Sequence, residues 1–162
     1  MRAAELATYL NDHLAGSVGA LDLLDHLARE SDGEEEVSFF RALHEEIAAE
    51  QAQLRALLRE LGGEESGVRK AAGWVAEKVT RLKLRWDDPG DDGLRRFEAL
   101  EALALGITGK LSLWRALAAV GDGIPALQGL DLALLQRRSE DQYAAVERRR
   151  LAAAREAFTA PR

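Results

Sequence analysis

Glu50 is a lone carboxylate in an apolar stripe. Between Glu34 and Leu61 the residues at heptad spacing from Phe40 are Phe40, Leu43, Ile47, Glu50, Leu54, Leu57 and Leu61. A carboxylate in such a seam faces a helix-bundle interior, where it needs a counter-charge, hydrogen bonds or a metal. Later stretches repeat the pattern. Glu101, with Glu98 a turn earlier, flanks the seam Phe97, Leu100, Ala104, Ile107, Leu111, Trp114 and Ala118. Glu140 falls in the seam Leu130, Ala133, Arg137, Glu140, Ala144, Glu147, Leu151, Ala154 and Phe158. Three inward carboxylates have the oxygen chemistry to hold one hard cation. Arg137, one turn before Glu140, offers another outcome: a buried ion pair in place of a metal, with Tyr143 and Gln53 as further polar partners. A last helix whose middle faces solvent is the competing reading.

Other chemistries find less support. Without cysteine there is no disulfide, thiolate metal site or Cys nucleophile. The histidines are scattered: His13 about one turn before Ser17, His26 roughly on the opposite face, and His44 outside the second-helix stripe. Ser17, Ser112 and Ser139 have no histidine at a facing helical spacing, His13 near Ser17 excepted, so a hydrolase set is not formed. The turn at Asp87 to Gly93 suggests calcium, but the EF-hand glutamate position, counted from Gly93, is Ala99. Asp91 or Asp92 as a helix N-cap is the expected role there.

These residues need helices to position them. The periodicity predicts a first helix from Ala3 to Glu30, with two overlapping seams that share Ser17 amid Ala15, Gly16, Gly19 and Ala20. Glycine inside a helix costs about 1 kcal/mol relative to alanine, so close helix approach or reserved space is expected there. Ser31 or Asp32 is expected to cap the second helix, which Gly62-Gly63 ends. A shorter helix, Val68 to Trp86, has the seam Val68, Ala72, Val75, Val79, Leu82 and Trp86. It also has a basic face of Arg69, Lys70, Lys78, Arg81, Lys83 and Arg85, which reads either as solvated or as a dock for an anionic partner or membrane surface. Two more helices follow, Leu94 to Val120 and Pro125 to Phe158.

Four long helices and a short one in 162 residues make a single all-α domain spanning the chain, residues 1–162. The crossover of roughly 30 residues between the second and third long helices predicts that those two run parallel, the arrangement of a four-helix bundle with one long crossover. A net charge of -6 argues against nucleic acid as a partner. No apolar run approaches the roughly 18 residues of a transmembrane helix, and the N-terminus lacks signal-peptide character, so a cytoplasmic protein is expected. Trp74, Leu84 and Trp114, at the edges of their seams, are candidates for a homo-oligomer contact.

Helix layout over nearly the whole chain resembles the ferritin-like superfamily, the di-iron carboxylate bundles of bacterioferritin and rubrerythrin type. Residues Leu10 to Ala20, LNDHLAGSVGA, resemble the bacterioferritin-type first helix Leu-Asn-x-x-Leu-x-x-Glu, with Ser17 at the ligand glutamate. Glu50-Gln51-Ala52-Gln53 is similar to the family's Glu-x-x-His, with Gln53 at the histidine; Glu46 with Ala49 is the alternative register. Glu101, or else Glu98, matches the third-helix glutamate. Glu140-Asp141-Gln142-Tyr143 is similar to the second Glu-x-x-His, with Tyr143 at the histidine. The family site uses four carboxylates and two histidines. The resemblance therefore implies a degenerate site at Ser17, Glu50, Gln53, Glu101, Glu140 and Tyr143, no resident cofactor, and a binding or assembly role. The alternative it implies is a divergent metalloprotein holding Fe or Mn through the remaining carboxylates.

Overall fold

Helix α1 spans Ala3–Arg29, α2 Glu34–Glu60, α3 Trp74–Arg85, α4 Asp92–Val120 and α5 Leu132–Thr159. This computed structural model describes residues 2–65, 74–86, 90 and 92–159. The sequence expectations at Val68, Arg69, Lys70, Ala72 and Asp91, and for the Trp74 and Val75 side chains, fall outside what is described.

Local chemistry sets the boundaries. Gly62 takes φ +74 past the end of α2, and the amides of Gly62 and Gly63 bond back to Arg59 O and Leu58 O. That is a Schellman closure, which only glycine adopts without steric cost. A Cβ on Gly63 would also lie 2.5 Å from the Leu58 side chain. The α2 N-cap is Gly33 rather than Ser31 or Asp32, since Ser31 turns back to donate to Leu27 O at 2.7 Å. Glu34, Glu35 and Glu36 in the first turn complement the α2 dipole instead. Pro125 opens a 3-10 turn, Pro125–Gly129, and not the last helix. Helix α5 starts later, where the Asp131 carboxylate accepts from the Leu134 amide at 2.9 Å.

The long helices pack pairwise, α1 on α2, α4 on α5 and α1 on α4, with α3 laid against α4 and α1. Side-chain pairs give their directions. Ser17–Gln51 and Asp25–His44 make α1 and α2 antiparallel. Glu101–Arg150 and Arg115–Glu140 do the same for α4 and α5. Glu36–Arg96 and Glu50–Lys110 rise together along α2 and α4, so those two run parallel across the long connection that carries α3. Among the described residues the core forms two clusters. One gathers Leu23, Leu24, Phe40, Ile47, Leu100, Leu103 and Val146; the other gathers Leu10, Leu54, Leu58, Trp114, Leu117 and Leu135.

Helix α4 is apolar on several sides because it touches α1, α3 and α5. The stretch Asp92–Gly123 is long and apolar enough, by length and composition, to cross a membrane, which the sequence reading missed. In this fold its buried face, Leu100, Leu103, Ile107, Trp114 and Leu117, belongs to the bundle core. Trp114 is likewise a core residue, only 1% exposed, and not an edge aromatic. Leu84 does face outward.

Candidate functional site

Of the sequence-predicted residues, Glu50 is buried, at 3% exposure. Its i+3 neighbour Gln53 is exposed. The inward arc of α2 runs through Ile47, Glu50, Gln51, Leu54, Leu57 and Leu58, turned toward Gln51 and away from Gln53. Helix α5 is rotated further from expectation. Its inward residues are Leu135, Ser139, Gln142, Val146 and Ala153. Arg137, Glu140 and Tyr143 therefore lie on the outer side, and Glu140 instead meets Arg115 at 2.9 Å on the surface. Arg137 is exposed and does not form the expected buried ion pair.

Lys110 forms that pair. Its Nζ donates to Glu50 Oε2 and to Gln142 Oε1, linking α4 to α2 and α5. The Gln142 amide nitrogen then donates to Glu46 Oε2 at 2.9 Å and to Glu50 Oε1 at 3.3 Å. Each group answers another's need: a buried carboxylate gets a cation, and the cation gets a second acceptor. Burial pushes the Lys110 ammonium pKa down, and the Glu50 and Glu46 carboxylates oppose that shift. Ser17 belongs to a neighbouring chain of bonds. Its hydroxyl donates to Leu14 O at 2.6 Å and accepts from Gln51 Nε2 at 2.7 Å, while Gln51 Oε1 accepts from Arg55 at 2.7 Å.

Beside this network a partly open cavity of about 200 Å³ lies between α1, α2 and α4. Ser17, Glu50, Gln51 and Lys110 give it polar points, and Ile47, Leu54, Ile107 and Leu113 give apolar wall. Gly16, Gly106 and Gly109 line it, and a Cβ added at any of them would meet nothing within 4 Å. These glycines leave space. Gly19 behaves differently: its added Cβ would touch Val79 at 3.4 Å, so it serves helix approach. Trp114 lines the cavity too, and its buried indole N–H has no hydrogen-bond partner. His13 stands at the wall, edge-on to Tyr9 at 4.7 Å. Burial lowers the His13 pKa, against the pull of Asp12.

The remaining carboxylates are elsewhere. Glu101 meets Lys78 and, at 3.4 Å, Arg150. It lines a shallow groove with Tyr143, Glu147 and Arg150 on the α4–α5 face. The Arg150 hydrogen bond holds the Glu147 carboxyl below its ordinary range. Glu98 lies 3.6 Å from Arg85. His26 stacks on Trp86 at 4.1 Å, and His44 lies 3.6 Å from Asp25. Among the described residues no three His, Asp or Glu side chains are grouped to hold a metal ion. Glu50, Glu101 and Glu140 do not converge, and an ammonium occupies the place at Glu50 where a cation would bind. This donor set does not fit a di-iron centre.

The described basic residues of α3 each face a carboxylate of this chain. Besides Lys78 to Glu101, Arg81 bonds Glu77 at 2.7 Å, Lys83 meets Asp22, and Arg85 faces Glu98. Sequence reasoning missed Lys110 and Gln142. Lys110 had a visible signal: it is the only charged residue between Glu101 and Arg115. No family model, curated protein or solved structure matches this chain.

Proposed function

We propose that this protein is a ferritin-like bundle that binds a small molecule in the cavity between α1, α2 and α4, with a lysine–glutamate pair in place of a di-iron centre. One observation carries the reading. Two half-buried helix-interior glycines, Gly106 and Gly109, border the cavity, and a Cβ on either would meet nothing within 4 Å. Each costs about 1 kcal/mol of helix stability relative to alanine, a cost that close packing does not explain. Space kept for an occupant explains it, and the polar points at Ser17, Gln51 and Lys110 would orient that occupant. The role is binding, with no catalytic set and no resident metal. A divergent Fe or Mn protein is the competing proposal.

The test titrates the full chain with ethylbenzene by calorimetry, in the native sequence and in Gly106→Leu and Gly109→Leu. A Cβ at either position would meet nothing within 4 Å, and circular dichroism checks that the fold is retained. Binding that both variants abolish supports the reading; binding that both retain sinks it. Metal analysis after anaerobic incubation with ferrous iron separates the competitor. Stoichiometric iron that Glu50→Ala removes would replace the proposal with the metalloprotein.

A further inference from the structure

We infer that the cavity takes an amphipathic primary amine, its apolar body between α1, α2 and α4 and its ammonium at the rim against Asp12; this rests on the cavity reading above. Size sets the first limit. An apolar cavity of about 150 Å³ accommodates benzene. One of about 200 Å³ has room for a ring and a few further atoms, and because it is partly open the end of such a ligand reaches the rim. Ala20, Ile47, Leu54, Ile107 and Leu113 supply apolar wall for the body.

Charge sets the second. The ionisable residues of the lining are Asp12, His13, Glu50 and Lys110. Glu50 and Lys110 are paired with each other. Burial lowers the His13 pKa, which leaves its imidazole uncharged at about pH 7. Asp12 is exposed and, among the described residues, has no ion-pair partner. The charge left over at the cavity is therefore a carboxylate, on a chain whose net charge is -6. It attracts a cation and repels an anion.

Hydrogen bonds set the third. An ionised carboxylate offers about four acceptor sites. Of the Glu50 oxygens one takes Lys110 and the other Gln142, and Asp12 accepts from no described residue. On the donor side, the Lys110 ammonium has one N–H beyond its bonds to Glu50 and Gln142. Open acceptor sites outnumber open donors, and a ligand ammonium brings three N–H groups. Its place is the rim. There it keeps part of its water, whereas at Glu50 it would have to displace Lys110 and give up its hydration.

Three probes that share a phenyl ring and differ in the head test this by calorimetry on the full chain at about pH 7, where His13 is uncharged: benzylamine, ethylbenzene and phenylacetate. Benzylamine is expected to bind most tightly and phenylacetate least. In Asp12→Asn benzylamine is expected to weaken by about fivefold, the upper range for a solvent-exposed ion pair, while ethylbenzene is unchanged. Raising the salt to about 0.5 M is expected to shrink the benzylamine advantage in the native chain and not in the variant. Asp12 is exposed, so the substitution leaves the core intact, as circular dichroism checks. Benzylamine that binds no more tightly than ethylbenzene, or that Asp12→Asn leaves unmoved, overturns the amine inference and leaves the cavity reading standing. Tightest binding by phenylacetate overturns it too, and makes Lys110 the group that meets the head. Binding of none of the three overturns the cavity reading itself.

Discussion

Glu50–Lys110 and Glu140–Arg115 are both carboxylate–cation contacts between helices, and they differ in nearly everything else. The first pair is buried, its side chains 3% and 15% exposed, and Gln142 completes it. The second stands in water, with both side chains more than half exposed. Water competes for each exposed charge and replaces a lost partner, so such pairs are worth about 1 kcal/mol at most. In the buried pair water replaces a missing partner less readily, and the group left behind carries much of its desolvation cost. The comparison teaches that the buried pair holds its position by the penalty of breaking it, and not by a large net gain from forming it.

The sharpest way to break this contrast is to remove one partner and then both. Lys110→Met is expected to lose about 3–5 kcal/mol in denaturant unfolding, because Glu50 is stranded. The double variant Lys110→Met with Glu50→Met is expected to recover most of that loss, since apolar side chains of similar size replace the pair. A double variant as unstable as the single one would place the cost in packing. A smaller effect is expected from His13, at the cavity wall. Its folded pKa lies below the ordinary value of about 6.5, so the native state binds fewer protons. Stability is then fully present above about pH 6.5 and is lost as pH falls through the lower folded value. His13→Asn should flatten the stability profile across that window; an unchanged profile would assign the slope to other groups. At the bottom of the scale, Arg115→Ala is expected to cost less than about 0.5 kcal/mol, the range of surface substitutions. A larger loss would erase the distinction between the two pairs.

The different legibility of α2 and α5 has a physical cause. In α2 the large apolar residues fall on one arc, so Phe40, Leu43, Ile47, Leu54 and Leu57 marked the buried face and carried Glu50 with them. The helix α5 offers leucines and alanines on several sides. Leu151 and Phe158 suggested a seam, yet they are 43% and 64% exposed, while Ser139 and Gln142 are inside. Periodicity counts hydrophobic residues, and a bundle that buries polar side chains on one helix defeats the count. Parallel α2 and α4 were legible because the long crossover leaves few ways to close a bundle. The cavity was half legible: Gly16 signalled a special need, but space and close approach give the same letter, and only the surroundings of each Cβ separate Gly16 from Gly19.

The direction of α2 relative to α4 has a bearing on assembly. Each antiparallel pair, α1 with α2 and α4 with α5, joins through a short connection and closes a small loop. The ties between the pairs reach much further: Glu36 to Arg96 and Glu50 to Lys110 across 60 residues, and Glu36 to Arg149 across 113. Closing a longer loop costs more chain entropy and slows the contacts that depend on it. The two hairpins thus have the kinetic advantage, and the polar ties form as they dock. The contacts of Lys110 and Gln142 with Glu50 and Glu46 are therefore expected to close after the hairpins, and the cavity lies along that joint.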